Sequence, residues 1–542
     1  MMGLQPSHRQ AALFTYRTDL DSRVGPDHLL RRVAATLDLE FVPAAVRHCY
    51  GRSGHVSLDP RLVMKLLLLL FLYNIPSERE LMEQVGVRLD FLWFLGLDLE
   101  SDIPDHSVLS KARRRWGEAV FEQLFVRMVE QCVAAGLVEG RLLHIDSTMV
   151  RAQAHRDSVV SSGPELVAAL RRAYQQQQTK LEVVVDPPET AAPSAPAKGE
   201  PGAGPEGPAE LAPELRVLPA SAAPPVEVGS APAQGQESAR GKLPVNATHL
   251  STTDPEAELA RSKNGRTELN YKHHRLVDDA HGVITAVQET PANVADGSQL
   301  PVLYEQHQAS TGLKPAQVTV AGDHHYGTAD NYLYCARQGV RAHLGECMAN
   351  VEARGKLPAS QFTYLPEADR LRCPQGHELV LHQHRPEEHL KVYLIEDAAH
   401  CAQCPLRGRC TESKAGRSIR RHLQAEGVEA ARRQANSPAG WYSRKRRQHV
   451  VEGSFADAVN NHGARKARWR GLWRQRIQSW LIATVQNLRI LLRRQVPGAP
   501  EAAAIALAEV LGQALVGCLG TLRANSKAFG ERNRRLGPLS TR

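Results

Sequence analysis

Between residues 141 and 344, the order of strand and helix patterns constrains the fold of this chain more than any other feature. RLLHIDSTMV (141–150) is a buried strand pattern with a polar tip, and two further strand patterns form a hairpin around a turn at 279–282. A helix, the strand pattern AQVTVAGD (316–323), a second helix that ends near Gly339 and a short strand follow. This order predicts an α/β domain with a mixed five-stranded sheet.

Two aspartates stand where apolar strand patterns end. Asp146 follows LLHI and Asp323 follows VTVAG, so a buried strand would hold each backbone while the carboxylate points into a cleft. Glu452 lies on a predicted helix beside apolar residues, whereas Asp457 points about 140° away from it, toward solvent or DNA. Phosphodiester chemistry with two Mg²⁺ ions, about 3.5–4 Å apart, needs such carboxylates. Taken singly, each acid is better explained as a cap or turn residue, so the hypothesis depends on the set.

The first 135 residues have the pattern of an all-helical domain. Ser77 and Glu80 have capping-box spacing, and the apolar run at 62–73 contains Lys65 and is too short for a membrane span. No secretory signal is visible at the start. The segment IPDHSVLSKARRRWG (103–117) is equally consistent with a helix-turn-helix that binds DNA and with a solvated basic face on an ordinary bundle.

A long segment and a cysteine cluster interrupt the α/β pattern. Residues 185–246 are rich in Pro, Ala, Gly, Glu and Ser, which predicts a disordered insertion. Further along, C-x27-C-x2-C-x5-C spacing favours a structural Zn²⁺ site over unrelated cysteines, with His377 or His400 as alternatives to one thiol. The four cysteines are Cys373, Cys401, Cys404 and Cys410.

Positive charge is concentrated in one region near the predicted Glu452 helix. The formal net charge is +9, and residues 441–495 contain thirteen Lys/Arg against Glu452 and Asp457, a local net of +11. Such a basic patch favours a nucleic-acid partner. We interpret Trp469 and Trp473 as core residues; the alternative is an exposed indole that stacks on an unpaired base at a processed DNA end. The predicted DNA-binding residues are Arg444, Lys445, Arg446, Arg447, Arg465, Lys466, Arg468 and Arg470.

Several motifs, in one order, resemble the DDE transposases of bacterial insertion sequences, specifically the branch called IS eleven-eighty-two. They include LLHIDSTMVRAQA, TVAGDHHYGTADNY and VEGSFADAVNNHGARKARWRG. The resemblance implies an RNase H-like catalytic core with Asp146, Asp323 and Glu452 as first, second and third acid. Two positions depart from the family pattern: Val459 replaces a usual lysine, and AGDHHYG lacks an expected second acidic or small residue.

The sequence therefore predicts a metal-dependent transposase that cleaves double-stranded DNA at the terminal inverted repeats of an element and joins it to target DNA. The resemblance implies Mg²⁺ (or Mn²⁺), two ions per active site, a homodimer on synapsis, and a cytoplasmic, nucleoid-associated protein without a membrane partner. The alternatives are an RNase H-like nuclease without strand transfer and an inactive DNA-binding remnant.

The predicted segments are a helical DNA-binding domain (1–135), the first core strand and helix (136–184), the disordered insertion (185–246), the rest of the core (247–346), the cysteine-containing insertion (347–436), the Glu452 and closing helices (437–497), and a C-terminal helix with a basic tail (498–542).

Overall fold

A computed structural model describes residues 19–51, 57–182, 243–261, 265–345 and 355–494. The chain divides into two compact units, 1–488 and 489–542, and the second is described only for the last turn of a helix. The predicted disordered insertion, apart from its last four residues, and the predicted C-terminal helix and tail lie outside the described residues.

The described residues before Ala135 form helices. The apolar run at 62–73 belongs to a helix with nine buried side chains, and Lys65 donates from Nζ to the Phe94 carbonyl oxygen at 2.8 Å. The Ser77 hydroxyl accepts from the Glu80 amide at 3.1 Å, so the predicted cap is confirmed. These helices are α1 (Leu20–Arg23), α2 (Leu29–Thr36), α3 (Phe41–Val46), α4 (Pro60–Leu72), α5 (Glu78–Val85), α6 (Leu89–Leu95), α7 (Ser107–Trp116) and α8 (Ala119–Ala134).

A mixed sheet of six strands follows, one strand more than the predicted five, because a short strand before the predicted hairpin also pairs with it. β1 pairs with β5 antiparallel and with β7 parallel, β7 pairs with β8 parallel, and β4 and β6 both pair with the other edge of β5. The strands of this sheet are β1 (Leu142–Arg151), β4 (Glu258–Arg261), β5 (Thr267–Asp278), β6 (Ile284–Pro291), β7 (Val318–Gly322) and β8 (Val340–Leu344). A separate two-stranded antiparallel sheet is formed by β2 (Val159–Ser161) and β3 (His249–Ser251).

Helices cover the two faces of the mixed sheet. On one face, Leu143, Ile145 and Val320 join a buried apolar cluster that also contains residues of α11, α12 and α15. On the other face lies α16, which contacts β1, β7 and β8. The remaining helices are α9 (Pro164–Glu182), α10 (Val245–Thr248), α11 (Leu300–Thr311), α12 (Ala329–Arg337), α13 (Ala398–Ala402), α14 (Arg407–Cys410), α15 (Ala425–Ala435), α16 (Pro438–His462) and α17 (Leu472–Arg494).

The cysteine-containing segment has a sheet of its own, which the sequence did not predict. Its five strands pair antiparallel in the order β13-β12-β11-β10-β9 over a small apolar cluster. By contrast α15, which the sequence places within the insertion, contributes Val428 and Ala435 to the cluster under the mixed sheet. The strands are β9 (Thr363–Leu365), β10 (Arg370–Arg372), β11 (Glu378–Arg385), β12 (Leu390–Ile395) and β13 (Ser418–His422).

Candidate active site

The sheet register brings Asp146 and Asp323 together. β1 and β7 are parallel, their last pair is His144 with Ala321, and Asp146 and Asp323 each follow that pair by two residues. Residues two apart on a strand point to the same face of a sheet, and His144 and Asp146 lie on the face covered by α16. The strand predicted at 141–150 is present as β1, but Asp146 lies within it and not at its end, because pairing with β5 persists after pairing with β7 stops.

Asp146 is held in a largely buried, positively charged environment. Its side chain is 16% exposed and forms an ion pair with Arg447 of α16, and its Oδ1 accepts from the Ser147 amide at 2.8 Å. Burial raises the pKa of Asp146 above its usual value, and the nearby Asp323 carboxylate adds to this rise. Arg447 acts in the opposite direction and lowers that pKa. The guanidinium of Arg447 thus already supplies a positive charge next to the Asp146 carboxylate.

Asp323 begins a short 3-10 turn directly after β7. Its Oδ1 accepts from the His325 amide at 2.8 Å, which caps the turn His324–Tyr326. The chain that follows β8 packs closely against this turn and restrains it. The Gly345 amide donates to the Asp323 carbonyl oxygen at 3.2 Å. A Cβ at Gly345 would lie 2.6 Å from the His324 backbone nitrogen, so no larger residue fits there without movement.

Glu452 reaches this region on α16. The sequence suggested that the basic run at 443–448 precedes this helix. The helix begins at Pro438, so the run lies within it. Ser443, Arg447 and Ser454 face the sheet: Ser443 Oγ lies 2.9 Å from His343 Nδ1, and Ser454 Oγ accepts from Arg275 at 2.7 Å. Glu452 is exposed, about 7–8 Å along the helix axis from Arg447. No ion pair joins Glu452 to another described residue.

Arg275 anchors this helix, and sequence reasoning missed it. It lies opposite Asp146 on β5, is 1% exposed, and donates to Ser454 of α16 and to Gln486 of α17. Its Nε donates to His273 Nε2 at 3.0 Å. Full burial lowers the pKa of Arg275 to about 9. The sequence signal that could have identified Arg275 is the run KHHR (272–275) within a strand pattern, because charged side chains in a buried strand need partners.

Two further expectations for α16 differ from the structure. Asp457 does not point freely to solvent: it accepts from Asn461 and from Gln486, both at 2.7 Å, and lies near His462. Val459 lines a small cavity between the sheet and α17 and does not face outward. A valine suits that cavity, because a lysine there would have to bury its charge.

The predicted DNA-binding residues differ in exposure and in partners. Arg447 pairs with Asp146, Arg446 pairs with Asp279, and Arg468 donates to the Ile75 and Asn74 oxygens. The guanidinium groups of Arg447 and Arg468 are largely buried against these partners, so neither belongs to an exposed basic surface. Arg444 is half-buried and donates to the Ala435 carbonyl oxygen. The exposed members are Lys445, Arg465, Lys466 and Arg470.

The two tryptophans that follow Glu452 pack inside the protein, as predicted. Trp469 meets Phe71 edge to face and donates to Glu78 at 3.0 Å, and Arg113 lies over its ring. Trp473 is buried and donates to Gln178. Neither indole is placed to stack on an unpaired base.

The four clustered cysteines line one cavity in the separate sheet. Cys373, Cys401, Cys404 and Cys410 surround it together with His377 and His400, whose rings stack 4.1 Å apart. Burial raises the pKa of the Cys410 thiol, and the other three thiols contribute to the rise. Among the described residues, no three of these ligand atoms lie within 4.8 Å of one another.

Two family models match the chain. Residues 18–115 match the family described as "Transposase domain (DUF772)", and residues 372–492 match the "Transposase DDE domain". The chain is a DDE transposase. The second match includes the transposase's Glu452, whereas Asp146 and Asp323 lie between the two matches. A DDE transposase is a metal-dependent enzyme that acts on DNA.

The transposase has no match among the curated proteins that were compared with it. A structural match is described as "Cryo-EM structure of piggyBac transposase synaptic complex with hairpin DNA", with 8% identity, a TM-score of 0.25, and coverage of 88% of this chain and 84% of that chain. Among the described residues, no helix combines the length and the hydropathy that a membrane crossing requires.

Proposed function

We propose that this transposase cleaves the ends of an insertion sequence and joins them to target DNA at Asp146, Asp323 and Glu452, with two Mg²⁺ (or Mn²⁺) ions. The observation that carries the proposal is the proximity of Asp146 and Asp323, each two residues beyond the last pair of β1 and β7, under the helix that bears Glu452. The proposal also includes an RNase H-like core. The strand order β6-β5-β1-β7-β8, with β5 antiparallel to its neighbours, supports that assignment.

The donor set fits divalent ions. Carboxylate oxygens are preferred ligands of Mg²⁺, and a buried, paired cation beside Asp146 shows that the site tolerates positive charge there. When bound, the ions would activate the attacking water or 3′-hydroxyl and neutralise the leaving oxygen. Asp146 and Asp323 would hold them from the sheet. Glu452 would complete the set from α16, and this requires its side chain to turn inward and Arg447 to leave Asp146.

DNA would lie along the exposed basic residues. Arg465 and Lys466 run beside the end of β1, where the Arg151 amide donates to the Arg465 carbonyl oxygen at 3.2 Å. Asp146 lies five residues back on the same strand, roughly 17 Å away at 3.3 Å per residue. Terminal inverted repeats and target DNA are the proposed substrates, with a homodimer forming when two ends are paired. We place the enzyme at the bacterial nucleoid because its substrate is there.

The test uses DNA from the two flanks of the reading frame, searched for terminal inverted repeats. Purified enzyme should cut the repeat ends only with Mg²⁺ or Mn²⁺, and Asp146→Asn, Asp323→Asn and Glu452→Gln should each abolish cutting. Asp330→Asn is the matched control, since this carboxylate is 82% exposed and lies only seven residues after Asp323. Full activity in any of the three acid variants would overturn the assignment of that acid.

Pre-cut repeat ends with a free 3′-hydroxyl distinguish the alternatives. A transposase joins them to a supercoiled target, whereas a nuclease without strand transfer cuts but does not join. An inactive remnant binds the repeats without cutting under any metal.

We also propose a structural Zn²⁺ ion between the four cysteines and membership of the IS eleven-eighty-two branch. The position of all four cysteines around one cavity supports the zinc site, and their sulphur atoms must move closer together to share one tetrahedral ion. Metal analysis of the purified chain should find zinc, and Cys404→Ser should remove it. Cys335→Ser, at an isolated buried cysteine, should keep the zinc.

A further inference from the structure

Two histidines follow Asp323 directly, and their rings lie beside its carboxylate. One ligand atom each from Asp323, His324 and His325 lies within 4.8 Å of the other two, and no other such group of three occurs among the residues that the structure describes. Both imidazoles are exposed, with ring centroids 4.0 Å apart. They contribute nothing to core packing, so packing does not explain their presence beside a candidate metal-binding acid.

The backbone holds these three side chains in a fixed turn. Asp323 Oδ1 accepts from the His325 amide, and Oδ2 has no hydrogen bond to any residue that the structure describes, so it can bind a ligand. Asn331 donates from Nδ2 to the Tyr326 carbonyl oxygen at 2.9 Å, and the Gly345 amide donates to the Asp323 carbonyl oxygen. A turn restrained at both ends presents its ligands with little further loss of conformational entropy, which favours binding.

We propose that Asp323, His324 and His325 together form a nitrogen-containing half of the active-site metal centre, which selects Mn²⁺ over Mg²⁺. The inference deepens the proposed function and rests on it, since Asp323 is one of the three acids assigned there. Mg²⁺ keeps oxygen and water ligands in near-ideal octahedral geometry. First-row transition ions bind imidazole more readily, and Mn²⁺ accepts carboxylate oxygen as well. The pattern AGDHHYG is thus a change of ligand type at the second acid.

Direct metal binding tests this inference without any DNA. The full chain is stripped with a chelator and titrated with Mn²⁺ while the electron paramagnetic resonance signal of free Mn²⁺ is followed, and Mg²⁺ is then added as a competitor. Pulsed measurements on the bound ion should show coupling to imidazole nitrogen. The double variant His324→Ala/His325→Ala should lose that coupling and about 10–100-fold in Mn²⁺ affinity, the range typical for loss of a supporting group at a metal site. Its Mg²⁺ affinity should stay nearly unchanged.

A matched control removes two exposed histidines elsewhere. His382 and His384 lie on β11 in the separate sheet, and their double alanine variant should bind Mn²⁺ like the unaltered chain. Circular dichroism checks that each variant is folded. Absence of nitrogen coupling in the unaltered chain, or equal Mn²⁺ affinity in the His324/His325 variant, would overturn the inference.

The two proposals fail in different ways. If Mn²⁺ binds through nitrogen but no DNA is cut with any metal, the ligand assignment stands and the proposed function fails. If DNA is cut and the preference for Mn²⁺ over Mg²⁺ is the same in the His324/His325 variant, the function stands and the ligand assignment fails.

Discussion

The pairing of Arg447 with Asp146 predicts that a metal ion and a protein cation compete for one carboxylate. Arg447 is 10% exposed and Asp146 is 16% exposed, so the pair is largely shielded from water. Replacement of Arg447 by Gln removes the cation but keeps a polar side chain of similar reach. The Asp146 carboxylate then loses its only ion-pair partner among the described residues.

Removal of one partner from a buried ion pair typically costs about 3–5 kcal/mol. Two features of this ion pair place the expected cost at the lower end of that range. The Ser147 amide still donates to Asp146 at 2.8 Å, and Arg447 Nε has no hydrogen-bond partner among the described residues, so its burial is already unfavourable. We therefore expect Arg447→Gln to lower the free energy of unfolding by about 3 kcal/mol in metal-free buffer at neutral pH.

Divalent metal should reverse this loss. A ligand at 100 times its dissociation constant stabilises the folded state by about 2.7 kcal/mol, and in the variant no guanidinium has to be displaced first. Urea denaturation with a chelator and with saturating Mg²⁺ or Mn²⁺ measures both effects. The stabilisation by metal should be larger in Arg447→Gln than in the unaltered chain.

The neighbouring Arg446 provides a matched control on the same helix. Its side chain is 42% exposed and pairs with Asp279, so Arg446→Gln should cost only about 0–1 kcal/mol, with no dependence on metal. The competition hypothesis is refuted if Arg447→Gln is no more destabilising than this control, or if metal stabilises the variant less than it stabilises the unaltered chain.

Three other predictions follow from the same structure. Gly345→Ala should abolish DNA cleavage and lower the free energy of unfolding by about 1–3 kcal/mol, because its Cβ would lie 2.6 Å from the His324 nitrogen; unchanged activity would contradict the close approach. The neighbouring His462, together with hydrogen bonds from Asn461 and Gln486, lowers the pKa of Asp457. The ionised carboxylate therefore stabilises the fold above the unfolded-state pKa of about 4, and this contribution is lost as pH falls from there through the lowered pKa of the folded state. Asp457→Asn should flatten the acid limb of a urea-denaturation series, and an unchanged limb counts against this. Arg465→Ala with Lys466→Ala should reduce the slope of log binding constant against log salt by about 1.8 in a fluorescence titration with duplex DNA, and an unaltered slope would exclude both from the DNA surface.

The sequence predicted the parts of the fold that depend on local pattern. The strand patterns around Asp146 and Asp323, the hairpin between β5 and β6, and the buried helix α4 all appear as expected, because periodicity and turn residues act within short windows. The sheet around the cysteine cavity was missed, because few of its strand residues are fully buried and two of its strands have only three residues, so apolar and polar residues do not alternate clearly along them.

By itself, the sequence determined which acids stand at the ends of apolar runs and which helix bears Glu452. Only the tertiary structure decided what surrounds them. Arg447 and Asp146 are 301 residues apart, and Arg275 and Ser454 are 179 residues apart, so neither pairing leaves a local pattern. The side of a strand or helix that becomes buried depends on what packs against it, and this is why Arg447, which the sequence places on the basic surface, pairs with Asp146 inside the protein.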